Sequence, residues 1–206
     1  MESKSLTAIQ KATLKFKENN GILHTSEAIR LGIHPAILYK MRDERLIEPL
    51  SRGVYRLTEL PALDNRDLVA TAVAIPHAVI CLISALSFHA LTSQIPRKID
   101  IACKSSSRRP VLKYLPIRVF WFSSVSFESG IEEHKIDGIT LHVYCVEKTL
   151  ADCFKYRKRI GMDVFIEALK TFWIEKRGSV DKLMEYAAIC RVSRLIRPYV
   201  ESVIHG

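Results

Sequence analysis

Residues 22–57, ILHTSEAIRLGIHPAILYKMRDERLIEPLSRGVYRL, break short apolar runs with glycine and proline at spacings that leave few folds open. Thr25 stands where an N-cap is expected, its hydroxyl able to accept an orphan N–H from a short helix carrying Ala28, Ile29 and Leu31. Gly32 can end that helix at a left-handed position without the penalty of a Cβ. His34-Pro35 then opens a second helix, because proline at the first helical position lacks only an N–H that would be unpaired there anyway. This helix is expected to reach about Arg45. Leu38 and Met41 fall on its buried side, with Ile37 beside them and Leu46 just beyond.

The same spacing leaves Ala36, Tyr39, Lys40 and Asp43 on an outward stripe, with Arg42 towards its edge. A lysine so placed can reach guanine or phosphate, and a small apolar side chain can touch a thymine methyl. The plainer alternatives are Tyr39 as a core aromatic and His34 as an N-cap alone. Leu46–Leu50 and Val54–Leu57 read as strands joined by Ser51-Arg52-Gly53, where Gly53 supplies the positive φ of a tight hairpin. Pro49 cannot donate to a ladder and marks an edge strand. Arg52 falls at the tip, where a cation would meet a phosphate or a minor groove. Upstream, Leu6, Ile9, Ala12 and Phe16 form the stripe of a preceding helix that ends near Asn19-Asn20-Gly21. Three helices and a basic hairpin compose a winged helix-turn-helix, whose expected DNA contacts are Thr25, His34, Ala36, Tyr39, Lys40, Arg42 and Arg52. Such a fold can also serve protein contact alone.

Charge agrees with an anionic partner. The 206 residues carry a formal net charge of +9, and 48% hydrophobic with 26% charged residues is a globular composition. Residues 1–57 hold 10 Lys and Arg against 6 Asp and Glu, and residues 58–206 hold 21 against 16, so both regions are basic. Phosphate attraction of this kind is independent of sequence. The N-terminus MESKSLTAIQK lacks a signal-peptide core, and no run approaches the roughly 20 apolar residues of a membrane span. The longest candidate, Leu68 to Leu86, is interrupted by Pro76, His77 and Ser84. A cytoplasmic protein without a membrane partner is expected. Cys81, Cys103, Cys145, Cys153 and Cys190 form no C-x-x-C pair and are odd in number, so buried thiols are expected rather than disulfides or a zinc ribbon.

Proline, turn residues and charges in Thr58–Asp67 mark a boundary, giving domains 1–60 and 61–206. Beyond it the pattern is mixed α/β. Leu68–Ala74 reads as a helix, Val79–Ile83 as a buried strand or helix edge, and Ser84–Leu91 as a helix capped by its serine. Lys98–Cys103, Ile117–Phe122 and Ile139–Tyr144 read as strands. Asp137-Gly138 signals a hairpin to Gly130–Lys135. Four helices close the chain, one around Val146–Phe154, one around Val164–Phe172, one capped by Ser179, and a last, Arg191–Ile204, interrupted by Pro198. The fold class is therefore α+β, a winged helix-turn-helix followed by a mixed α/β domain ending in a helical cluster.

The segment Ser26–Leu57 resembles the winged N-terminal domain of AbiEi-type antitoxins, in which a helix-turn-helix runs into a hairpin ending Arg-Gly-Val-Tyr-x-Leu, here Arg52-Gly53-Val54-Tyr55-Arg56-Leu57. Ser84-Ala85-Leu86 with His89 and Leu91, and Glu147-Lys148-Thr149-Leu150-Ala151-Asp152, resemble strings of that family's second domain. Arg45 departs from the family, many members of which carry glycine between helix and hairpin. The resemblance implies a type IV antitoxin that represses its own operon on double-stranded DNA. It implies also that a nucleotidyltransferase-like toxin is opposed without a stable complex.

Catalytic patterns are thin. Asp100 with Glu133 and Lys135 has the Asp…Glu-x-Lys form of metal-dependent nucleases, the plainer alternative being a solvated edge strand. His142, Cys145 and Cys153 lack the spacing of a structural zinc site. No G-x-x-x-x-G-K-[ST], G-x-G-x-x-G or G-x-S-x-G string occurs. No enzyme, metal or cofactor is expected, and the nuclease-like domain stands as the alternative reading. Between residues 104 and 118 the chain carries Lys104, Arg108, Arg109, Lys113 and Arg118 without an acid, beside Ser105-Ser106-Ser107. The segment reads as a loop, in which Lys104, Arg108, Arg109 and Lys113 are candidate phosphate contacts or a docking surface for an acidic partner, the plainer alternative being a solubilising loop. Lys155, Arg157, Lys158 and Arg159 at a helix end, and Arg191, Arg194 and Arg197 on one stripe, read first as solvated faces.

Overall fold

The computed structural model describes residues 6–60, 65–108, 110, 116–136 and 138–205. It is an α+β protein, with two sheets among the described residues. Two compact units divide it, Met1–Ala70 with Ile136–Ile139, and Thr71–Lys135 with Thr140–Gly206.

In the first unit α1 (Ala8–Glu18) begins at Thr7, whose hydroxyl accepts from the Gln10 N–H while the Gln10 side chain accepts from the Thr7 N–H. Each of these residues thus satisfies an orphan donor of the other. Ala12 and Phe16 are buried, whereas Leu6 lies before the cap and is exposed. A strand absent from the sequence reading follows, β1 (Ile22–His24). Next come α2 (Thr25–Arg30) and α3 (Pro35–Asp43). Gly32, at φ +80°, closes α2, with its N–H on the Ile29 carbonyl and the Ile33 N–H on the Ala28 carbonyl. This is the double bond pattern of a Schellman end.

α3 stops at Asp43, slightly short of Arg45. The same closure recurs there with Arg45 at φ +56°, the Arg45 N–H on the Arg42 carbonyl and the Leu46 N–H on the Met41 carbonyl. Arg45 thus occupies a left-handed position that glycine would take with less strain. β2 (Ile47–Ser51) and β3 (Val54–Leu57) complete an antiparallel sheet in the order β1-β3-β2. β2 is an edge and carries Pro49, with a register irregularity between Pro49 and Ser51. Phe16, Leu23, Ala28, Ile33, Leu38, Met41, Ile47 and Leu57 form the core. Ile29 is exposed, because the short α2 buries only the face of Ala28.

α4 (Arg66–Ala74) precedes the second unit's β4 (Val79–Ile80) and α5 (Leu82–Phe88). There follow β5 (Ile99–Lys104), β6 (Ile117–Phe122), α6 (Ser124–Glu128), β7 (Ile131–Ile136) and β8 (Ile139–Tyr144). Five helices close the chain rather than four, α7 (Val146–Lys155), the single turn α8 (Arg157–Ile160), α9 (Met162–Ile174), α10 (Val180–Ile189) and α11 (Ser193–His205). The sheet order is β6-β5-β4-β8-β7, with β4 antiparallel to β5, and with β4–β8 and β5–β6 parallel. Phe120 and Phe122 of β6 and Tyr144 of β8 pack with Phe154, Phe165 and Phe172 of the helical layer.

Ser84 does not cap α5. The cap position is Cys81, and Ser84 lies buried inside the helix, its hydroxyl accepting the Asp100 N–H at 2.9 Å. It fastens α5 to β5. Ser179 does cap α10, accepting from the Lys182 N–H, and α11 carries Pro198 within it.

Candidate nucleic-acid interface

The apolar spacing of α3 orients the helix. Leu38 and Met41 are buried on one side, and Ala36, Tyr39, Lys40, Arg42 and Asp43 are exposed. Tyr39 is 52% exposed, so it is not a core aromatic. His34 caps the helix, its Nδ1 accepting the Ala36 N–H at 3.2 Å. Arg42 donates to Asp43 Oδ1 through Nε at 3.1 Å and Nη2 at 2.9 Å, and its guanidinium lies 5.3 Å from the centre of the Tyr39 ring. The Asp43 carboxylate raises the pKa of Arg42. A guanidinium has more donors than this pairing uses, so Arg42 is held in place with capacity left for a partner. Lys40 stands 3.8 Å from Glu44, an exposed pair worth little by itself.

Thr25 has a role other than capping. The α2 cap position is His24, without a side-chain bond, and the Thr25 hydroxyl donates instead to the Gly53 carbonyl at 3.1 Å. The Thr25 N–H donates to that carbonyl at 2.7 Å. Gly53 can accept this approach because its φ of +73° turns the chain between β2 and β3. Arg52, exposed beside it at the hairpin tip, is thus placed against the start of α2 by two bonds, one of them from the hydroxyl that the sequence reading assigned to a cap. Glu48 braces the base of the hairpin, meeting Arg56 at 3.3 Å and Arg66 at 3.4 Å. Arg56 is buried there, a role its place in a basic string did not suggest.

In the second unit Lys104 ends β5 and contacts Glu128 at 2.5 Å, and Arg108 is exposed shortly after it. Arg109 and Lys113 lie outside the described residues. No family model matches the chain, and no curated protein matches it. Its second-unit strings must therefore be read from geometry. Ser84 ties α5 to β5. His89 at the end of α5 has Nε2 at 2.8 Å from the Tyr144 carbonyl, and Leu91 is fully buried. Lys148 and Asp152 form an ion pair with both side chains wholly buried. Asp152 also accepts from the Cys190 thiol at 3.1 Å, and Lys148 stands 4.2 Å from the centre of the Tyr144 ring. Burial raises the Asp152 pKa, with Lys148 opposing it. All of these are scaffold positions.

The nuclease-like trio is not brought together. Asp100 is wholly buried and held by Arg118 through Nε at 2.7 Å and Nη2 at 2.8 Å. Glu133 and Lys135 lie on β7, and the sheet order puts β4 and β8 between β7 and the β5 strand of Asp100. Three strand steps separate them by about 14 Å, too far to share one cation. Among the described residues no three His, Cys, Asp or Glu side chains converge as metal ligands. Among them, too, no helix is long and apolar enough to cross a membrane.

Proposed function

We propose that the protein is a sequence-specific DNA-binding transcriptional regulator built on a winged helix-turn-helix, with α3 as recognition helix and the Arg52 hairpin as wing. The observation that carries this reading is the exposed stripe of Ala36, Tyr39, Lys40 and Arg42 on a helix whose other side is core, beside a hairpin tip tied to α2. A groove reader needs base-reaching side chains on a rigid helix and a cation aimed at the backbone. In this account α3 enters the major groove, Lys40 and Tyr39 read base edges, and Arg42 and Arg52 meet phosphates.

The strings at Arg52–Leu57, Ser84–Leu91 and Glu147–Asp152 extend the proposal to the autoregulating antitoxin of a type IV toxin–antitoxin pair. Its target would be the operator upstream of its own gene, and it would oppose a nucleotidyltransferase-like toxin without a lasting complex. The buried state of the second and third strings assigns them to stability of the second unit, so neutralisation would use other surfaces. Co-expression with the neighbouring gene tests this half. Growth arrest relieved by the full chain, without co-purification, supports it, and unrelieved arrest rejects it.

A further inference from the structure

The second unit contains an open cavity of about 580 Å³ at one end of its sheet. β4 starts beside the end of β5, since Val79 pairs with Ala102, and the parallel pairing of Ile80 with Val143 brings β8 alongside. The turn after β5 forms one wall. It is fixed by the Ser107 N–H and hydroxyl, both on the Lys104 carbonyl at 2.9 and 2.7 Å. Lys104, Arg108, His77 and His142 supply a basic rim, and Ile75, Val79, Phe127 and Ile131 an apolar floor. Among the described residues no carboxylate lines the space, although Glu128 contacts Lys104 and Glu133 lies 3.6 Å from His142. The Lys104 ammonium is held further by the Phe127 ring, at 5.6 Å from its centre.

We propose that this cavity is a binding site for a phosphate monoester on a flat heteroaromatic body, such as a nucleoside monophosphate. Lys104, held by Glu128, and the exposed Arg108 suit a dianionic head, which arginine can take with a bidentate fork. The apolar floor would be left empty by inorganic phosphate, while the volume falls within the range of pockets that enclose small organic ligands. A ring lying on Phe127 and Ile131 would cover that floor while its phosphate reached Lys104 and Arg108. This inference stands apart from duplex recognition by the first unit.

Calorimetric titration of the full chain with 5′-AMP, GMP, CMP and UMP in turn, and with adenosine and inorganic phosphate, tests it without any DNA present. At least one monophosphate is expected to bind saturably at one site, with its nucleoside and inorganic phosphate each at least roughly tenfold weaker. Lys104→Gln and Arg108→Gln should each weaken that monophosphate by about tenfold at unchanged thermal stability, and Arg52→Ala should leave it unaltered. The proposal is overturned if no monophosphate binds, if inorganic phosphate binds as tightly, or if the Lys104→Gln/Arg108→Gln double variant binds like the parent.

Discussion

Thr25 and Gly53 are joined twice, by the backbone N–H and by the hydroxyl of the threonine converging on one carbonyl at 2.7 and 3.1 Å. Thr25→Val keeps the shape and the backbone bond and removes only the hydroxyl's donation. The carbonyl stays satisfied, so stability should fall by only about 0.5–1.5 kcal/mol in urea unfolding. DNA affinity should weaken because the hairpin tip loses one of its two ties to α2. A variant that binds as tightly as the parent would remove this bond from the account.

Charge at the tip and chemistry on α3 should fail in different ways. Arg52→Ala is expected to weaken binding to all duplexes alike and to lower the salt slope by about one counterion. Lys40→Ala and Tyr39→Ala should instead erode the preference for the operator, by about 1–3 kcal/mol for each lost base contact. Anisotropy titrations against operator and scrambled duplexes at several salt concentrations separate the two behaviours. Identical behaviour of all three variants would refute the division of labour between α3 and the hairpin.

Much of the first unit was legible because its signals are local. Leu38 and Met41 recur at the helical period, Pro35 follows a side chain able to cap, and Gly53 marks the turn. β1 escaped notice because three residues make a strand only through pairing with β3, a partner about thirty positions away. Thr25 and Ser84 were misread for a shared reason. A hydroxyl beside a helix start reads as a cap, yet both hydroxyls serve a tertiary bond that spacing does not reveal. Asp100 entered only the weak Asp…Glu-x-Lys pattern, and its actual partner, Arg118, is set beside it by the β5–β6 register, which spacing along the chain does not reveal. Lys148 and Asp152 have the i, i+4 spacing of a surface pair, and only the layer of aromatic side chains around them makes the pair internal.

That buried pair gives a sharp stability test. Asp152→Asn removes the countercharge of an ammonium with no access to water, and should destabilise the protein by about 3–5 kcal/mol. Lys148→Met combined with Asp152→Leu removes both charges and should cost markedly less than the single change. Urea unfolding of the three proteins decides the matter. Equal loss in the single and double variants would mean that packing, rather than charge compensation, dominates there.

His89 sets a pH dependence. Burial lowers its pKa below the ordinary 6.5, favouring the neutral ring that contacts the Tyr144 carbonyl. Its contribution is therefore present above about pH 6.5, the unfolded value, and is lost as pH falls through the lower folded value. The slope from this one group cannot exceed about 1.4 kcal/mol per pH unit. His89→Gln retains a donor without the titration, so its stability should vary less between pH 7.5 and 5 than the parent's. Parallel curves would show that another group carries the acid sensitivity.

The central claim is sequence-specific duplex recognition by the first unit. It is tested most directly by titrating the full chain against the duplex upstream of its own gene and a scrambled duplex of equal length, at two salt concentrations. The account predicts a preference for the native duplex that survives the higher salt. Equal binding to both duplexes, abolished together by salt, would contradict it.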